Sequence, residues 1–154
     1  MLEKCDLSAT TDDKTLAKSL PPLQERLAVL QRELRDKKIP VMIVIEGWNA
    51  SGITMATREV IRSLDPRGFT LYATHTPTAE ELARPFMWRF WTRIPEKGRI
   101  AIFARSWYSR AITEELNRVG WKKSFRDKLG PITMFEQQLA DDGMVIVKFF
   151  LHID

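Results

Sequence analysis

The chain has 154 residues, 44% hydrophobic and 29% charged, with one cysteine and a formal net charge of +4. That length suits one domain with a substantial buried core, and the modest charge excess suits an anionic partner without demanding one. No apolar run approaches a membrane span, and the start Met1-Leu2-Glu3-Lys4-Cys5-Asp6 lacks the order of a secretion signal. Cys5 has no second cysteine to pair with, so a reducing cytoplasm is expected.

Residues 1–20 are polar and read as a leader or loosely docked segment, with the domain proper at 21–154. Pro21 and Pro22 open a helical pattern to about Arg35, with Leu23, Leu27, Leu30 and Leu34 on one face. The continuous apolar run at 41–45 predicts a strand over roughly 41–46 covered on both faces. A loop at 47–52 leads into a helix to about Leu64, stopped by Asp65-Pro66-Arg67-Gly68, and Phe69 to Thr74 is a second strand. Thr78 is placed to cap a helix to about Arg93, which Pro85 either begins or breaks. Ile100 to Phe103 is a third strand. A helical stretch from Ser106 to Asn117, a variable segment near Gly120, a helix at 131–140 and a strand at 144–151 follow. Strands alternating with helices imply a parallel sheet between helical layers. The chain ends directly after a strand, which predicts either a neighbouring layer from another chain or, the favoured reading, that it is part of a longer protein.

The loop Gly47-Trp48-Asn49-Ala50-Ser51-Gly52-Ile53-Thr54 holds two glycines five apart and a threonine, the outline of a phosphate-binding loop. In such a loop backbone N–H groups converge on phosphate oxygens, a lysine offsets their charge, and a Ser or Thr hydroxyl holds magnesium. Here Ile53 occupies the lysine position. After the third strand, where a metal-binding carboxylate is sought, stands Ala104. Arg105 and Arg110 beside it can donate to phosphate oxygens or bridge the loop to a helix. Two glycines at this spacing also occur in ordinary strand–loop–helix turns.

Together these segments resemble the polyphosphate kinase 2 family. The resemblance covers about residues 24 to 154. It rests on the loop, on Asp65-Pro66-Arg67, on Thr76-Pro77 before Phe86-Met87-Trp88-Arg89-Phe90-Trp91, on Ala104-Arg105-Ser106-Trp107-Tyr108-Ser109-Arg110-Ala111, on Phe135-Glu136 and on Lys148 to Ile153. It implies a P-loop kinase-like three-layer α/β/α fold with a parallel sheet, incomplete at its C-terminus, and phosphoryl transfer between polyphosphate and a nucleotide. Gly47, Ser51, Gly52, Thr54, Arg58, Arg105 and Arg110 are the phosphate-binding candidates. Arg58 stands at a family lysine and Glu114 at a family acidic position.

Three departures from the family pattern all remove charge from one centre: Asn49 and Ala104 replace aspartates and Ile53 replaces lysine. A charged hydrogen bond is worth about 1.5–3 kcal/mol, so three losses at one centre predict a rate deficit of about four orders of magnitude or more. No catalytic residue is expected intact. The family's magnesium is not expected to bind, and the chain resembles the degenerate N-terminal module of two-domain members. Its expected role is structural or regulatory, as a homo-oligomer or beside an active kinase domain, with a polyphosphate- or anion-binding module as the alternative. A nucleic-acid-binding reading rests on net charge alone and lacks a recognised module. His75 and His152 show no metal-ligand spacing. Phe86, Trp88, Phe90 and Trp91 are read as packing in preference to base stacking, and Lys122, Lys123 and Arg126 as a solvated face.

Overall fold

A computed structural model describes residues 10–109, 111 and 121–152, with side chains omitted over 121–128. Four strands form one parallel sheet in the order β2-β3-β1-β4: β1 (Val41–Gly47), β2 (Phe69–Ala73), β3 (Ile100–Ala104) and β4 (Val145–Leu151). β1 lies inside the sheet, and its residues 42–46 are all buried, which accounts for its uninterrupted apolar run. Successive side chains alternate between the faces. Met42 and Val44 join Phe103, Trp107 and the helix α5 (Trp121–Asp141) through Ile132, Phe135 and Leu139. Ile43 and Ile45 join Ile102, the helix α2 (Ile53–Arg62) and the helix α1 (Asp13–Asp36) through Leu27 and Leu34. The sheet is thus sandwiched between two helical layers, as the alternating pattern predicts.

The first helix differs from expectation. It begins at Asp13, inside the predicted leader, because the Asp12 carboxylate accepts from the Thr15 N–H and hydroxyl, each at 2.8 Å. Pro21 and Pro22 lie within it, on an exposed stretch where carbonyls deprived of an N–H partner face solvent. Residues 13–19 are helical and wholly exposed. Of the predicted leucine face, Leu27 and Leu34 pack on the core, while Leu23 and Leu30 are 65% and 40% exposed.

Pro85 breaks the predicted 78–93 helix into α3 (Ala79–Leu82) and α4 (Trp88–Trp91). Thr78 and Glu81 form a reciprocal capping box at the start of α3. Buried Glu81 then ion-pairs with Arg89 and Arg93, each at 3.2 Å. The aromatic residues of α4 pack as expected: Phe90 is fully buried against Phe103 and Trp107, and Trp91 meets Phe135 edge-on. Residues 121–130 are already helical, ahead of the predicted start at Pro131. No helix of the described residues is long and apolar enough to cross a membrane. Cys5, Arg110, Glu114 and Gly120 lie outside the described residues, as do the side chains of Lys122, Lys123 and Arg126.

Candidate functional site

The C-terminal ends of β1, β2 and β3 open onto a cavity of about 410 Å³, where open parallel sheets commonly take ligands. One wall is the loop between β1 and α2. Gly47 cannot be replaced there without movement: a Cβ would stand 2.4 Å from Ser51 Oγ and 2.7 Å from the Leu151 carbonyl oxygen. The loop turns on a 3.1 Å bond from the Ser51 N–H to the Trp48 carbonyl, and Gly52 enters α2 with φ +85°. Ala50 and Arg105, both in the cavity wall, also hold left-handed backbone, with φ of 65° and 64°. Each costs a non-glycine residue about 1–2 kcal/mol, and such costs gather at functional sites. The buried Ser51 hydroxyl has no hydrogen-bond partner among the described residues.

The expected phosphate-binding residues are only partly brought together. Ser51, Gly52, Thr54 and Arg105 share the cavity wall, with Gly47 behind Ser51. Arg58 lies one helical turn beyond Thr54, exposed and outside that wall. Arg105 donates from Nη2 to Asn49 Oδ1 at 3.1 Å, and its backbone N–H donates to the Ile45 carbonyl at 3.0 Å. The three charge-losing positions have distinct fates. Asn49 is the exposed acceptor for Arg105. Ile53, 9% exposed, packs with Ile43, Ile45 and Leu64. Ala104 sits in the cavity wall, half-buried against the same cluster.

Glu46, absent from the expected site, is the buried carboxylate nearest the loop in sequence. Its Oε1 accepts from the Ser106 N–H at 2.7 Å, the Ser106 hydroxyl at 2.6 Å and the Ser109 N–H at 3.3 Å; Ser109 Oγ donates to Oε2. These four bonds lock the end of β1 to the start of the helical turn at 107–109. A second carboxylate, Glu136, accepts from Trp107 Nε1 at 3.2 Å, the Tyr108 hydroxyl at 2.6 Å and Lys148 Nζ at 2.8 Å. Burial, and then the Glu136 charge, raise the Tyr108 pKa. For Lys148 burial acts downward, but bonds to Glu136 and Tyr108 outweigh it and the net shift is upward. Both side chains therefore stay protonated through the neutral range.

Magnesium, implied by the family resemblance, requires oxygen ligands that usually include a carboxylate. Among the described residues the cavity wall contains none, and Glu46 already accepts from four protein donors. The Ser51, Thr54 and Thr74 hydroxyls remain, and no group of three or more His, Cys, Asp or Glu side chains among the described residues is arranged to hold a metal. This donor set does not fit a divalent cation held by protein side chains.

Residues 10–154 match the family described as Polyphosphate kinase 2. The chain is 37% identical over 154 residues to a polyphosphate:AMP phosphotransferase of Pseudomonas aeruginosa, covering 100% of this chain and 31% of that protein. It is 33% identical over 150 residues to an AMP/ADP-polyphosphate phosphotransferase of Meiothermus ruber, covering 96% of this chain and 56% of the relative. The crystal structure of Polyphosphate Kinase 2 from Arthrobacter aurescens superposes with a TM-score of 0.90 at 25% identity, over 100% of this chain and 58% of that one. The chain thus spans about a third to somewhat over half the length of these proteins, and it belongs to the polyphosphate kinase 2 family.

Proposed function

We propose that this chain is a phosphate-binding, catalytically impaired module of a polyphosphate-dependent nucleotide phosphotransferase, acting beside an active domain or subunit. The reading of substrate class rests on the relatives, whose names specify phosphoryl exchange between polyphosphate and AMP or ADP. One observation carries the impairment: the cavity retains the loop path and Arg105, while no carboxylate among the described residues lines it and Ile53 is turned into the core. Loop N–H groups and the Arg105 guanidinium suit phosphate oxygens, but nothing in the wall offsets the charge developing on a transferring phosphoryl group as lysine and metal do. Phosphoryl transfer between polyphosphate and AMP, ADP or ATP, assayed with magnesium, is expected to remain at background. Turnover that disappears on Arg105→Ala would overturn the impairment.

The unpartnered Ser51 hydroxyl favours a second reading, retention of an anion without any chemistry. It predicts salt-dependent polyphosphate binding that Arg105→Ala weakens. Absence of binding at low salt excludes it.

A further inference from the structure

Trp48 is the second residue of the loop and lies in the wall of the phosphate cavity, yet it remains 50% exposed. Its polar edge is already occupied: Nε1–H donates to His152 Nδ1 at 2.8 Å. An indole nitrogen only donates, so His152 must present a lone pair at Nδ1 and carry its proton on Nε2. The ring of Phe150 stands against the indole edge-to-face, centroids 5.3 Å apart and planes at 88°. Two residues of the last strand and its exit therefore fix the indole, and the surface left open is apolar ring. Such an arrangement does not suit a phosphate chain, which has no apolar surface. It suits a flat aromatic group arriving together with phosphate.

We infer that Trp48 is a stacking platform for a nucleobase at the lip of the cavity, so that the site takes a nucleotide in preference to a base-free chain with the same number of phosphates. This rests on the reading of the cavity as a phosphate site and names what accompanies the phosphate. Phe90, Phe103 and Trp107 are fully buried in the core, and among the described residues of the cavity wall the other ring is the exposed His75, a smaller π face than the indole. A volume of about 410 Å³ exceeds what one phosphate group needs and falls within the roughly 300–1,000 Å³ of small-molecule sites. The platform is held before the ligand arrives, so little ordering cost opposes stacking. Stacking also tolerates any base, because every base has a π face.

The test is calorimetric titration of the whole chain at low salt with ATP and, separately, with inorganic tripolyphosphate. Wild type is expected to bind ATP roughly tenfold or more tighter than tripolyphosphate, on the scale of one base stack. Trp48→Ala should erase that advantage while changing tripolyphosphate affinity far less, and Trp48→Phe should keep most of it. Trp48→Leu fills the place beside Phe150 without a π face, and serves as the comparison if the alanine variant unfolds. Equal wild-type affinities overturn the platform but leave the phosphate reading standing, as does an equal weakening of both ligands by Trp48→Ala. Binding of neither ligand overturns both.

Discussion

The two sides of the loop that follows β1 have been furnished in opposite ways. Beneath it, the Glu46 carboxylate is buried and receives four hydrogen bonds from Ser106 and Ser109. Above it, Asn49, Ile53 and Ala104 supply no charge to the cavity, and the Ser51 hydroxyl has no partner among the described residues. A buried carboxylate is tolerated only when its lone pairs are satisfied, so the lower side is specified by folding. The upper side has no such constraint, and its polar groups matter only through a ligand. The difference separates residues that shape the loop from residues that would act through it.

Substitutions on the two sides should therefore separate stability from binding. The largest effect is expected from Glu46→Ala, which strips four donors of their acceptor in a buried site. A loss of about 3 kcal/mol or more is expected in denaturant unfolding, with Glu46→Gln retaining part of it. A Glu46→Ala variant as stable as wild type would mean that water replaces the carboxylate and would dissolve the contrast.

Gly47→Ala comes next, because its Cβ meets Ser51 Oγ and the Leu151 carbonyl at less than 3 Å. Overpacking of this kind costs about 1–3 kcal/mol, read as a lower unfolding midpoint. On the cavity side, Asn49→Ala removes only an exposed acceptor. Stability should change by less than about 0.5 kcal/mol, while freeing Arg105 alters polyphosphate affinity in a salt-dependent titration.

The smallest effect concerns the far end of the sheet. Hydrogen bonds from the Arg67 side chain and backbone hold the exposed Asp65 carboxyl at about 2, below its ordinary value of 3.8. A depressed acid contributes stability that is fully present above its unfolded pKa and is lost as pH falls through the folded value. Asp65→Asn should thus flatten stability between about pH 4 and 2 and leave neutral-pH polyphosphate binding unchanged.

Much of the frame was legible because it follows from periodicity. The apolar run at 41–45 became the buried strand β1, and Pro85 interrupted a helix as its missing N–H requires. The start of α1 was hidden because Pro21 and Pro22 imitate a helix beginning, whereas the cap that sets it is Asp12. Within the candidate site, Gly52, Thr54 and Arg105 could be found from spacing and resemblance. Glu46 could not, since its partners lie 60 and 63 residues away and no local pattern links a strand-end carboxylate to two later serines. Trp48 is illegible for a similar reason. Its meaning comes from Phe150 and His152, far along the chain, whereas the aromatic cluster at 86–91 serves the core.

The close approach of Gly47 to Leu151 also has a consequence in time. The loop rests against the end of β4, and the Trp48–His152 bond spans 104 positions of sequence. Contacts between distant parts of a chain are costly to close. As the chain emerges from a ribosome, α2, β2 and β3 can be made while this wall is still missing. The site is finished only when β4 and His152 have been synthesised, so a fragment ending before β4 would carry every glycine of the loop and still lack the surface against which the loop takes its shape.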